Sequence, residues 1–300
     1  MTDFEFLLSD RVQKIVSMNE MYDLENKSYI SFSGGKDSTV LSKLVDLALP
    51  GNKIPRVYID TGIDYRAIRD FVVDFGKKDN RLEIIRPTKN IRAMLESCGY
   101  PFKSKEHSQK VALFQRSGAT KTVLNYVGKG TKQTFLCPSV LKYNFSKKFS
   151  LKVSDKCCYE LKKHPAEKWA GENGRPISMT GIRQDEGGLR KSVSSCAVFY
   201  DEGKTQLHKF HPLLVVSNDW VDEFVKAYRL ELCKLYYPPF NFKRTGCKGC
   251  PYSTDLQRQL DIMAVYFPQE RRQCEIIWKK VYEEYRRVSY RLEDTVFDDI

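Results

Sequence analysis

In Ser31-Phe32-Ser33-Gly34-Gly35-Lys36-Asp37-Ser38, two glycines, a lysine, an acid and several hydroxyls stand between a short apolar run and a helical pattern. Paired glycines permit a bend that side chains would block, and the amides of such a bend can turn toward an anion. A helix start adds partial positive charge there, and Lys36 adds a full one. Ser33 and Ser38 offer hydroxyls to phosphate oxygens, and Asp37 suits Mg²⁺ or the loop itself. Gly34-Gly35 alone would read as a turn with a helix cap. With strand, glycines, Lys, Asp, Ser and helix in this order, the segment reads as a phosphate loop for ATP or a close relative. Its spacing is too short for G-x-x-x-x-G-K-[ST].

A second group of residues suits metal chemistry. Cys157-Cys158 and Cys247-x-x-Cys250 supply four thiols in two tight pairs. Four thiolates suit either a [4Fe-4S] cluster or tetrahedral zinc, and spacing does not decide between them. Cys98, Cys137, Cys196, Cys233 and Cys274 read as small buried hydrophobes or spare thiols. The four histidines show no ligand spacing with the cysteines.

These groups need a scaffold, and the pattern supplies one. Phe4, Leu7, Leu8, Val12, Ile15, Val16 and Met18 space as an amphipathic helix. Strands are expected at 29–32, 56–60, 82–85, 176–181 and 206–210, with helices at 38–49, 65–75 and 219–232. Strands alternating with helices imply right-handed crossovers and a doubly wound α/β fold, a parallel sheet of about five strands covered on both faces. Residues 100–150 read as helices and a mobile loop. Beyond Tyr236-Tyr237-Pro238-Pro239 come a cysteine-bearing loop and a helical tail. The expected division is a lead-in helix at 1–27, a nucleotide-binding domain at 28–235 and a small C-terminal cysteine-bearing helical module at 236–300.

The 300 residues carry a formal charge of +12 and nine cysteines. That charge suits an anionic partner, a nucleotide or nucleic acid, although the basic residues are spread along the chain. No apolar stretch is long enough for a membrane span, and the N-terminus lacks signal-peptide features. The expected location is the cytoplasm, where clustered thiols more often bind metal than form disulfides.

The loop resembles the PP-loop of ATP pyrophosphatases, in which a substrate attacks the α-phosphate and pyrophosphate leaves. The wider set of motifs resembles the phosphoadenosine phosphosulfate reductase family: SGGKDS, the turn Asp60-Thr61-Gly62, Ser154-Asp155-Lys156-Cys157-Cys158, Thr180-Gly181-Ile182-Arg183 with Arg190, and Lys243-Arg244-Thr245-Gly246-Cys247-Lys248-Gly249-Cys250-Pro251. The resemblance runs in the family's order over residues 28–255 and implies an adenine nucleotide alpha hydrolase-like fold. It also places Asp60, Thr61 and Gly62 near the nucleotide and Arg183 and Arg190 at its phosphate or sulfate end. Lys103 and Lys105 are further anion-site candidates. The cluster-bearing branch implies one [4Fe-4S] cluster on Cys157, Cys158, Cys247 and Cys250, ahead of zinc.

The chain departs from that family in two ways. Sulfonucleotide reductases carry a nucleophilic thiol on a flexible C-terminal tail, whereas residues 291–300 contain none and Cys274 falls in an expected helix. Reductases of an already activated nucleotide also tend to have lost an intact SGGKDS. The favoured expectation is therefore an enzyme that binds ATP and Mg²⁺, with Lys36 and Asp37 as catalytic residues. It would take part in iron-sulfur-dependent sulfur transfer or activation, with a nucleic-acid acceptor and a sulfur or electron donor protein as partners. A sulfonucleotide reductase giving sulfite is the alternative, and a non-catalytic nucleotide-binding regulator the third reading.

Overall fold

Reciprocal hydrogen bonds fix where the first helix begins. Thr2 Oγ1 accepts from the Glu5 amide at 3.2 Å, and Glu5 Oε2 accepts from the Thr2 amide at 2.8 Å. In the computed structural model, which describes residues 2–132, 136–201, 203 and 205–293, this helix spans Asp3–Tyr22 and buries Ile15 and Met18. Contacts divide the chain into two compact units, Met1–Asp60 with Asp64–Pro87 and His164–Thr245, and Thr61–Ile63 with Thr88–Lys163 and Gly246–Ile300. The end of the expected C-terminal module, residues 294–300, lies outside the described residues, as do residues 133–135 of the expected mobile loop. Among the described residues no helix is long and apolar enough to cross a membrane.

The first unit is built on a sheet of β1 (Ser28–Ser31), β2 (Arg56–Ile59), β3 (Leu82–Ile85), β4 (Ile177–Met179), β5 (Ala197–Phe199) and β6 (Leu207–Phe210), in the order β3-β2-β1-β4-β6-β5. All neighbours are parallel except β5, which runs antiparallel to β6. The sheet is the expected doubly wound α/β arrangement with one strand more than expected. Three residues at a half-exposed edge give β5 too little apolar run to stand out. Ile30, Val40, Leu41, Leu44, Phe210, Val221 and Phe224 fill the core on one face with helices Asp3–Tyr22, Lys36–Ala48 and Asn218–Ala227. Tyr29, Val57, Trp169 and Ala170 pack together on helix His164–Glu172. The helix expected at 219–232 stops at Ala227 because Arg229 turns left-handed at φ 48°, and the Leu230 amide closes back on the Val225 carbonyl at 2.9 Å.

The second unit contains helices Ile91–Cys98, Lys105–Ser117, Lys121–Val127, Leu256–Tyr266 and Pro268–Arg287. Its centre is aromatic, with Phe102 edge-on to Tyr285 at 4.8 Å. Burial pushes the His107 imidazole down to about 3, so it is neutral between Tyr126 Oη at 3.0 Å and Asn144 Oδ1 at 3.1 Å. His107 is a satisfied core residue.

One strand of the sheet opens on a charge. The Arg56 side chain is fully buried and reaches Asp46 at 2.6 Å, Ser42 Oγ at 3.0 Å and Asp79 at 3.7 Å, while Arg81 joins Asp46 and Asp79 at 2.8 Å each. Burial alone would raise both carboxyls, but the hydrogen bonds from Arg81 and the charge of Arg56 outweigh it and hold them below the usual range. A depressed folded value means that this stabilisation is present above the unfolded carboxylate value and is lost as pH falls through the folded one. Asp46→Ala, which strands a buried guanidinium, is expected to cost about 3 kcal/mol at pH 7 in urea unfolding. The gap to the unmodified protein should narrow below about pH 4. A gap that is the same at pH 3 would contradict this account.

Candidate active site

The chain leaves β1 through Phe32, which stacks on Phe75 at 4.6 Å, and turns at Ser33-Gly34-Gly35 into helix Lys36–Ala48. Gly34 has φ +68°, and a Cβ there would lie 2.7 Å from Val72 Cγ2. Both the backbone twist and the packed helix beneath it require glycine. The turn is also tied within itself. Ser38 Oγ donates to the Gly35 carbonyl at 2.9 Å and accepts from the Ser33 amide at 3.2 Å, and the Gly35 amide donates to Ser33 Oγ at 3.3 Å.

A cleft of about 410 Å³ opens over this turn, in the usual size range of ligand sites. Ser33, Gly35, Lys36, Asp37, Ser38, Arg183 and Arg190 line it, joined by Lys243 and Arg244. The lining carries five basic side chains against three acidic ones, Asp37, Asp185 and Glu186. Gly34 shapes the turn from behind. Asp60, Thr61 and Gly62 do not line the cleft, and neither do Lys103 and Lys105. Asp60 sits buried after β2 with Arg69 and Arg86 each at 3.4 Å.

Ion pairs set the polar groups in the cleft. Lys36 Nζ lies 2.6 Å from Asp222 Oδ1. Asp37, read from sequence as a metal or loop carboxylate, receives Arg183 Nε at 2.8 Å. Arg183 is 3% exposed and also donates to Asn218 Oδ1 at 2.9 Å. Its Nη1 is buried without a hydrogen-bond partner, and the Asp185 carboxylate stands 3.7 Å away. A buried guanidinium donor left over in a cleft is what an oxyanion satisfies. Gly181 makes this pairing possible, since a Cβ there would come within 2.9 Å of the Asp37 carbonyl oxygen. Glu186 holds Arg190 and, at 2.8 Å, Arg244.

Sequence reasoning missed Tyr236, Asn218, Asp222 and Glu186. Tyr236 Oη accepts from the Lys36 amide at 3.0 Å and meets Thr245 Oγ1 at 2.8 Å, and burial pushes its hydroxyl up. Nothing in Leu235-Tyr236-Tyr237 marks one tyrosine as a partner of the loop. The adjacent Lys243-Arg244-Thr245 was the available signal.

In the second unit Cys157, Cys158, Cys247 and Cys250 line one pocket with Ile63, Leu161, Lys162, Tyr252 and Trp278. Helix Pro268–Arg287 holds the loop that carries two of them. Trp278 Nε1 donates to the Lys248 carbonyl at 3.2 Å, Tyr282 Oη to that of Gly249, and Tyr285 Oη to that of Pro251 at 2.9 Å. The Lys248 amide donates to Ile63 at 2.8 Å, and its buried Nζ to Gln273 at 2.7 Å. Gly249, at φ +59°, has no room for a Cβ, which would fall 2.7 Å from Cys274 Sγ. Cys274 is therefore packing, fully buried under the loop. Burial, then the neighbouring thiolates, push the Cys157 and Cys250 thiols up, so a bound cation is what would favour the thiolate form of these two. Among the described residues no group of three or more ligand side chains is placed to share a single metal ion.

The sequence profile of the phosphoadenosine phosphosulfate reductase domain matches residues 27–134 and 137–253. The chain belongs to that family. A curated relative, an uncharacterized protein of Methanocaldococcus jannaschii, is 33% identical over 103 residues, which are 31% of this chain and 25% of that protein. The chain thus spans a quarter of that relative's length. Among solved structures, phosphoadenylyl-sulfate reductase of Candida auris in a phosphate complex aligns with a TM-score of 0.42 and 14% identity, covering 74% of this chain and 81% of that one. The U34-tRNA thiolase NcsA of Methanococcus maripaludis with its [4Fe-4S] cluster aligns at 0.41 and 14%, covering 98% and 82%. Likeness at that level carries no argument about the chemistry of this family member.

The Lys36–Asp222 pair makes the cleft testable. A half-exposed carboxylate competes with any phosphate for the ammonium, and such a pair is worth about 0.2–1 kcal/mol. Asp222→Asn should tighten pyrophosphate binding by up to about fivefold in titration calorimetry. Weaker binding in that variant would show that Asp222 positions Lys36 rather than competing for it.

Proposed function

We propose that this phosphoadenosine phosphosulfate reductase family member binds ATP, cleaves it to AMP and pyrophosphate, and takes part in sulfur transfer or activation on an acceptor in nucleic acid. The observation that carries the reading is the intact Ser33–Ser38 turn at the end of β1, beneath a cleft rich in cationic side chains. A nucleotide that arrives already activated brings no pyrophosphate for such a loop to hold.

An acceptor oxygen attacks the α-phosphorus, the bond to the β-phosphate oxygen breaks, and its electron pair leaves on pyrophosphate. Lys36 and the start of helix Lys36–Ala48 stabilise that charge, and Lys36 exchanges Asp222 for phosphate. Arg183, fixed by Asp37 and Asn218, offers its Nη1, which faces Asp185 at 3.7 Å without a hydrogen bond, to a nucleotide oxyanion. Asp37 and Asp185 are the carboxylates available to Mg²⁺, which supplies charge neutralisation when bound. Sulfide delivered by a donor protein then attacks the acceptor carbon, forming the carbon–sulfur bond as the carbon–oxygen bond breaks and AMP leaves with its electron pair.

Cys157, Cys158, Cys247 and Cys250 fit a [4Fe-4S] cluster. They share one pocket, and four thiolates are the ligand set of such a cluster as well as of tetrahedral zinc; the family resemblance puts the cluster first. Bound there, it supplies electron storage or an iron for sulfur.

The second reading, reduction of a sulfonucleotide to sulfite, is favoured by Arg190, Lys243 and Arg244 beside Arg183, since that concentration of donors also suits a sulfate.

Product analysis tests the first reading. With Mg²⁺ and acceptor, AMP and pyrophosphate are expected, whereas ADP and phosphate would overturn it and thiol-dependent reduction of adenylyl sulfate would support the second. Lys36→Ala should slow turnover by about 10²–10³-fold with little change in thermal stability. Protein purified anaerobically should be brown and contain iron and sulfide in equal amounts, lost in Cys250→Ser. Stoichiometric zinc without iron would replace the cluster.

A further inference from the structure

Basic residues occur along the whole chain, but the excess does not. Residues 88–163 hold 16 Lys or Arg against 4 Asp or Glu, while the rest of the chain is balanced at 34 against 34. The entire formal charge of +12 therefore belongs to one segment, which lies in the second unit. Thirteen of those 16 side chains are exposed, and only Lys103, Lys110 and Lys162 are half-buried.

The same segment forms a groove of about 740 Å³. One wall is helix Lys105–Ser117, and the other includes the end of helix Ile91–Cys98 and the extended residues 152–156. Lys110, Arg116, Lys152 and Lys156 line it, and Asp155 is the single carboxylate among the lining residues. No salt bridge involves any of those four cations among the described residues. Lys152 donates to the Ser97 carbonyl at 2.7 Å, a bond that leaves its charge uncompensated. In the first unit the pattern differs, with Lys36, Lys77, Lys78, Arg81 and Arg183 all facing carboxylates.

We infer that this groove binds the phosphate backbone of a nucleic-acid strand. Unpaired cations spread over several elements match charges that repeat along a polymer, whereas a nucleotide or free phosphate needs them converged at one point. Beside the four cations the lining has amides, hydroxyls, Asp155 and a small apolar part of Cys98, Ala112, Leu113 and Val153, with no aromatic side chain of the kind that centres a protein interface. Contacts to phosphate do not choose between ribose and deoxyribose. The inference deepens the proposed function by giving the acceptor a binding surface, and it rests on that function only for the purpose of binding.

The test is fluorescence anisotropy of the intact, anaerobically purified protein with a labelled single-stranded RNA and a DNA of the same sequence, between 50 and 200 mM salt. Binding should weaken steeply with salt. Lys110→Glu with Arg116→Glu should weaken it at least tenfold and, by removing two phosphate contacts, make the log–log salt slope shallower by roughly 1.4. Circular dichroism melting and ATP binding of this double variant should be unchanged, because neither residue belongs to the nucleotide cleft. Reversal of Lys27 and Lys77, exposed lysines of the first unit, should leave strand binding intact. RNA and DNA should bind to similar extents, because the groove's cations contact phosphate. The proposal is overturned by equal binding in the double variant, by a flat salt response, or by polyglutamate displacing the strand as well as unlabelled nucleic acid does, which would mark a surface for acidic proteins. Binding that persists in Lys36→Ala, when ATP cleavage by that variant has fallen, separates the groove from the proposed chemistry.

Discussion

The pairing of Asp37 with Arg183 organises the cleft over the glycine turn. One partner stands in the first turn of the helix after β1 and the other just beyond β4, so the ion pair joins the ends of two adjacent parallel strands. It forms only because Gly181 lets the backbone after β4 approach the Asp37 carbonyl. With Arg183 thus fixed, Asn218 and Asp185 take their positions around it, the Asn218 amide donating to Asp185 at 2.7 Å. A carboxylate that reads in sequence as a metal ligand is, in the folded chain, first the anchor of a guanidinium. Any metal bound there must share it.

The frame was legible because its signals are local. β1, the glycine turn and the following helix are written within Tyr29–Leu49, and the alternation of strands and helices extends that reading to β2, β3, β4 and β6. Arg56 shows where the logic weakens, since a charged residue at the start of a strand looks like an exposed edge. Its burial depends on Asp46 and Asp79, which come from two different helix ends. The cleft's own residues were legible where they sit in motifs, as with Ser33, Lys36, Asp37, Arg183 and Arg190. Tyr236, Asn218 and Asp222 were not, because they reach the cleft by tertiary approach and carry no pattern of their own.

The cysteine pocket shows the same division. The thiols stand out in sequence, but their support does not. Trp278, Tyr282 and Tyr285 read as the apolar stripe of an amphipathic helix, and their spacing is that of one helix face. Their polar tips do something the stripe does not announce, which is to satisfy the carbonyls of a tight turn that has no secondary structure to do so. The turn needs Gly249 for its backbone, and Lys248 anchors the side facing Gln273.

The way the second unit is strung along the chain has a consequence for biogenesis. Its aromatic donors leave the ribosome more than a hundred residues after Cys157 and Cys158, so the Cys247–Cys250 turn has no backing until helix Pro268–Arg287 has emerged. Contacts of such long sequence separation form late, after the loops between them have been closed. A group held by all four thiols could be enclosed only after that helix has emerged. Until then Cys157 and Cys158 stand without Cys247 and Cys250 beside them.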